Sequence, residues 1–240
     1  MANPIISRVE LEISGTPLTT QGVVRKTGIL LAITAAVALG FFGYGWQTQM
    51  SPGFSSMIAM GAIAATFMMG LIFCAKPLMA KSLAMPYAVT EGLFVGAISL
   101  RVAYAYPGVA FSALSATFVT AVVMLGLYRS GVIKVTEKFR SIMISAILAI
   151  VILYVIQFVM MLMGTTIPVL FSGGIVAIGF SVLVTIIASL SLLLDFDSID
   201  RAKAAGVSQD YEWVLGVGVL ATLVWMYSEF LRLLSYVNNR

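Results

Sequence analysis

The sequence predicts an all-α integral membrane protein, a bundle of seven spanning helices, and three observations predict it. The first is composition: of 240 residues, 60% are hydrophobic and 10% are charged, where a soluble domain carries about 25% charge. Mean hydropathy is +1.04. A water-soluble fold has too little interior to hide that much apolar surface. The second is length: the apolar residues come in runs of about twenty, enough to cross the hydrocarbon as a helix. The third is that Lys and Arg gather on alternate connections.

Seven runs carry the spans: Thr27–Trp46, Phe54–Cys74, Met85–Val102, Val109–Tyr128, Ile142–Met163, Gly174–Leu194 and Trp213–Leu234. Glu91 interrupts the third. Pro52, Pro77, Pro86, Pro107 and Pro168 fall at or near junctions, where a missing N–H does little harm. Loops are short, so successive helices are expected to be antiparallel neighbours in one bundle. Residues 1–26 read as a mobile cytoplasmic tail, in which Val9–Ile13 alternates too briefly to argue a strand. It is a poor signal peptide, because the apolar run behind it is of full spanning length. Residues 27–236 form the membrane domain and 237–240 a C-terminal tail.

Eleven cations (Arg8, Arg25, Lys26, Lys76, Lys81, Arg129, Lys134, Lys138, Arg140, Arg201 and Lys203) fall on one side of this topology; Arg101 and Arg240 fall on the other. The positive-inside rule then puts the N-terminus in the cytoplasm and the C-terminus outside, in the cell (inner) membrane. Net charge is +4 and reflects these loop residues rather than nucleic-acid binding. Tyr44, Trp46, Tyr104, Tyr106, Trp213 and Tyr236 sit near run ends, as interface aromatics do. With no His and one Cys, Cys74, the chain lacks ligands for zinc or haem and cannot build a Ser-His-Asp or Cys-His engine. It is expected not to be an enzyme and to need no cofactor.

An ionisable group inside a membrane is costly and therefore marks function. Three places qualify. Asp195 follows an uninterrupted apolar run, with Asp197 and Asp200 behind it, and Glu212 opens the last helix. Asp195, Asp197 and Glu212 are expected to cluster at the inner mouth. Carboxylates held close cannot all ionise cheaply, which makes a pH-sensitive gate, and their oxygens, Asp195 first, suit Ca²⁺ as a transported ion. The alternative for Asp197 and Asp200 is an acidic helix end in water. Glu91 lies about five residues into the third helix, roughly 8 Å deep, within reach of Lys76 and Lys81; the alternative is a structural helix-to-helix bond. Glu229 and Arg232 share a face of the last helix, roughly 24 Å from Trp213 and level with Arg101. They form an outer lock with it, or else a snorkelling arginine with its neighbour. Thr222 and Trp225 lie between the acidic and basic layers. The 14 Met and many Gly and Ala serve helix packing.

Together these features resemble the transmembrane Bax inhibitor motif family, also called Bax-inhibitor-1-like, over about residues 27–236. Asp195-Phe-Asp-Ser-Ile199 resembles its Asp-Thr-Gln-x-Ile segment. Glu229-Phe-Leu-Arg232-Leu-Leu resembles its terminal Leu-Leu-Arg-Leu stretch, and Glu91-Gly92-Leu93-Phe94-Val95-Gly96 its Gly-Leu-x-x-Gly pattern. The resemblance implies seven helices with the last one central, and a pH-sensitive Ca²⁺ leak in prokaryotic members. Eukaryotic members are linked to lowered store Ca²⁺ and to suppression of cell death, a stress response. It further implies a pair of aspartates on the sixth and seventh helices. Asp195 matches the first; Thr222 stands at the second, and no arginine in the second helix latches Asp195. Asp197 or Glu212 then replaces the missing partner. The rival expectation is a non-transporting regulator or assembly partner of a membrane complex such as a quality-control protease, with the tail as its handle. A membrane-embedded enzyme using paired aspartates is the third. The lipid bilayer is the partner common to all.

Overall fold

A computed structural model describes residues 16–165, 167 and 174–239. The chain forms α1 (Thr20–Gln47), α2 (Pro52–Ala75), a 3-10 turn (Pro77–Met79), α3 (Ala80–Ala105), α4 (Val109–Arg129), α5 (Glu137–Leu162), α6 (Ile175–Ala204) and α7 (Tyr211–Asn238). All seven α-helices among the described residues are long and apolar enough to cross a membrane. Among the described residues the only extended pairing is an isolated antiparallel bridge, Pro17 to Ser208. Val9–Ile13, Pro168 and Arg240 lie outside the described residues.

Side-chain caps open three of the helices. Thr19 opens α1 by accepting the Gly22 N–H, Ser51 opens α2 ahead of Pro52, and Thr136 opens α5. This corrects the expected boundaries at three points. α1 begins at Thr20, so Thr20–Lys26 belong to a helix and not to a tail. α6 continues ten residues past Leu194, through Asp195, Asp197 and Asp200, to Ala204. It stops where Gly206 turns left-handed (φ 68°), with Gly206 N–H donating to Lys203 O and Val207 N–H to Ala202 O. α3 begins at Ala80, which places Pro86 inside a helix rather than at a junction; its missing N–H leaves the Ser82 carbonyl without its ladder donor.

The contacts group into two units, Met1–Arg101 with Asp195–Ala221, and Val102–Leu194 with Thr222–Arg240. In the first, α1 and α3 pack through small side chains. Ala84, Ala88, Gly92 and Gly96 recur every four residues on α3 and are buried. Thr34 Oγ1 donates to Ala88 O (3.0 Å). A Cβ on Gly92 would stand 2.7 Å from the Thr34 carbonyl oxygen, and one on Gly96 2.8 Å from that of Ala38. Ser55 Oγ on α2 donates to Ala97 O (2.8 Å). In the second unit, Ala177, Ser181, Val184, Thr185, Ala188 and Ser189 of α6 are buried, as are Val224, Met226 and Leu231 of α7.

Large apolar residues point the other way. Phe54, Met57, Phe67 and Met68 on α2, Phe111, Phe118 and Val122 on α4, and Ile142, Leu148 and Ile152 on α5 are exposed. Small and hydroxylated groups line the helix contacts alongside buried Leu30, Leu100, Leu192 and Leu220, while many bulky apolar groups face outward, which suits lipid, where apolar side chains have no reason to hide.

Gly92→Leu and Gly96→Leu are expected to destabilise the fold by about 1–3 kcal/mol through overpacking. Gly61→Leu, at a site with nothing within 4 Å of a Cβ, leaves it unchanged. Thermal unfolding of the purified protein in detergent checks the contrast.

Candidate functional site

Glu212 stands in the first turn of α7 with a relative exposure of 0%. A carboxylate so placed needs donors, and three come from the chain ahead of and within α1. Thr19 N–H (2.9 Å) and Thr19 Oγ1 (3.1 Å) donate to Oε1. Lys26 Nζ, itself buried, donates to Oε2 at 2.9 Å. The ammonium also donates to Gln209 O (3.3 Å) and lies 5.2 Å from the centre of the Trp213 ring. Gly22 makes the approach feasible, because a Cβ there would collide with the Glu212 carboxylate. Around this pair, Leu18 N–H donates to Val207 O (2.8 Å) and Gln209 N–H to Thr16 O (2.9 Å).

The expected cluster of Asp195, Asp197 and Glu212 therefore gives way to separate pairings. Glu212 turns to Lys26 and Thr19. Asp197 accepts from Arg201 Nε one turn on (2.7 Å). Asp195 is half-buried within α6. Spacing explains part of this: i and i+2 on a helix do not share a face. Among the described residues no three His, Cys, Asp or Glu side chains gather to hold a metal ion. By the positive-inside rule Lys26 is only one of the topological charges; in the structure it is the partner of Glu212. Its signal was the pattern Thr19-x-x-Gly22-x-x-x-Lys26, a cap, a gap and a cation one turn apart ahead of an apolar face.

Glu91 is buried in α3, and the polar side chain that interacts with it is Tyr87, one turn earlier on the same helix. Tyr87 packs on Phe73 of α2 at 5.6 Å between ring centres. The lysines expected to reach Glu91 lie elsewhere: Lys81 pairs with Asp210 at the exposed surface (2.9 Å), and Lys76 is exposed.

The second unit holds the expected Glu229–Arg232 ion pair, i and i+3 on α7. Its further member is Tyr154 of α5, not Arg101. Tyr154 Oη donates to Glu229 Oε1 (2.5 Å) and accepts from Arg232 Nη2 (2.7 Å). Trp225 Nε1 donates to the same Oε1 (3.2 Å). The guanidinium lies 5.3 Å from the Tyr154 ring and 5.7 Å from the Phe180 ring. Arg101 is exposed and donates to Ser56 Oγ (3.3 Å). Thr222 is half-buried on α7. A tyrosine deep in an otherwise apolar run was the available signal for Tyr154.

Two measurements follow. Lys26→Ala strands a buried carboxylate and is expected to cost about 3–5 kcal/mol, while the double change Lys26→Met with Glu212→Leu costs far less; thermal or denaturant unfolding separates them. Tyr154→Phe removes one donor and one acceptor from a buried network and is expected to cost about 1–3 kcal/mol by the same assay.

These carboxylates and small-residue seams sit in segments for which a family match exists. The family described as Bax inhibitor 1 like matches residues 3–239. No curated protein matches the chain. The match covers α1 through α7 and takes in Asp195, the Glu91–Gly96 stretch and Glu229–Arg232 alike, so the chain belongs to the Bax inhibitor 1 like family.

Proposed function

We propose that the protein is a proton-regulated leak pathway for a cation, Ca²⁺ being the ion its oxygen groups suit. It would lie in the cell membrane with its N-terminus in the cytoplasm, the orientation supported by eleven cations at or near one set of run ends against two at the other. The observation that carries this reading is the burial of three carboxylates, Glu91, Glu212 and Glu229, in helices of spanning length. Such groups are retained in lipid for pairing or for ion and proton traffic. Membership of the Bax inhibitor 1 like family supports the same reading.

Two of the three are committed to partners from other segments. Glu229 is committed to Arg232, Tyr154 and Trp225, and Glu212 to Lys26 and Thr19; these close the polar layers. Asp195, half-buried in α6 and in the family motif, is the carboxyl assigned to respond to protons, and Asp197 steadies the same helix through Arg201. The rival, a non-transporting regulator, loses part of its handle. From Thr16 onward the expected tail is bonded to residues 207–212.

Purified protein in Ca²⁺-loaded liposomes is expected to leak at rates that differ several-fold between about pH 6 and about pH 8. Asp195→Asn is expected to flatten that difference. A pH response unaltered in this variant removes Asp195 from the mechanism, and the absence of flux at both values removes the leak.

A further inference from the structure

The contacts of Glu212 tie three segments together: the chain ahead of α1, the turn between α6 and α7, and the first turn of α7. We infer that residues 16–19, together with Lys26 of α1, form a strap that holds the start of α7 against α1, and that this end of α7 moves only when the strap lets go.

Four observations carry it. The strap is anchored by the side chain of Leu18, which is buried, while Thr16, Pro17 and Thr19 are exposed around it. Its backbone makes two bonds to the α6–α7 turn, Leu18 N–H to Val207 O and Gln209 N–H to Thr16 O. It supplies every hydrogen bond described for the Glu212 carboxylate: the Thr19 N–H, the Thr19 hydroxyl and the Lys26 ammonium. One turn further on, Gly216 of α7 packs on Thr27 of α1, and the Thr27 hydroxyl has no hydrogen-bond partner, so the seam there rests on van der Waals contact. The polar hold on α7 at this end is thus concentrated at Glu212. Lys81 and Asp210 add an ion pair to the same turn, but both are exposed and water weakens it.

Breaking the strap leaves Glu212 and Lys26 each needing new partners, so it opens as a unit or not at all. The two backbone bonds are few enough for an event at the exposed residues, such as a partner engaging the N-terminal segment, to release it. The strap places a control over α7 at the N-terminal segment. Its effect on flux rests on the leak reading above, while its effect on α7 does not.

Pro17 and Ser208 face one another in the bridge, where Cα atoms lie about 4.5–5.5 Å apart, within disulfide range. The protein carrying Pro17→Cys, Ser208→Cys and Cys74→Ser is cross-linked, reconstituted and compared with its reduced form by amide hydrogen exchange over residues 213–217 and by Ca²⁺ flux. Exchange in α7 is expected to slow roughly ten-fold on cross-linking, and flux to fall with it. Glu212→Ala is expected to speed the same exchange; where that variant fails to fold, the cross-link comparison stands alone. Equal exchange in the cross-linked and reduced forms overturns the strap. Slowed exchange with no flux from any form, the unmodified protein included, supports the strap and removes the leak pathway instead.

Discussion

Hydrocarbon offers no hydrogen bonds, so each polar group that enters a spanning helix has to bring or find its partner within the protein. The arrangement of this chain follows from that constraint. Glu212 finds Thr19 and Lys26, Glu229 finds Tyr154, Trp225 and Arg232, and Glu91 finds Tyr87. Smaller groups obey it locally: Thr66, Thr117, Thr185 and Ser189 each return their hydroxyl to the carbonyl one turn back. Glu212 and Glu229 differ in also taking a partner from another segment, Lys26 and Tyr154, and so they determine which segments meet.

The same solvent explains the packing. Leucine gains little by leaving lipid for a protein interior, so helices associate where backbones can approach. The ladder of Ala84, Ala88, Gly92 and Gly96 does this for α3, and Thr34 uses the proximity to reach a neighbouring carbonyl. Close approach and polar satisfaction are therefore one device: a hydroxyl reaches across only because no side chain stands between the helices.

The number and kind of helices were legible, because a run of twenty apolar residues has few other uses. The Glu229–Arg232 pair was legible too, since i and i+3 on one helix is a local relation. What sequence spacing hid were partners distant along the chain. Tyr154 is 75 residues from Glu229, and a tyrosine in an apolar run does not by itself name its partner. Lys26 was misread for a different reason: a lysine beside an apolar run satisfies the rule for topology, and that sufficient explanation concealed a buried ion pair 186 residues away. Helix ends were misplaced because hydropathy reports where lipid stops, while the helix ends only where a cap is available, at Thr19 and at Gly206. For Asp195 the position was legible, but its companions were not, because whether aspartates meet depends on the rotation of α6.

Gly22 has a consequence beyond its own turn. The carboxylate of Glu212 occupies the space that any side chain at position 22 would claim. The two positions are thus bound to one another in inheritance: a descendant that acquires alanine at 22 has to give up or displace the acid at 212, and Lys26 then stands as an orphaned cation. Changes at these three sites are thus expected to be correlated, a signature readable from any set of related sequences without a further structure.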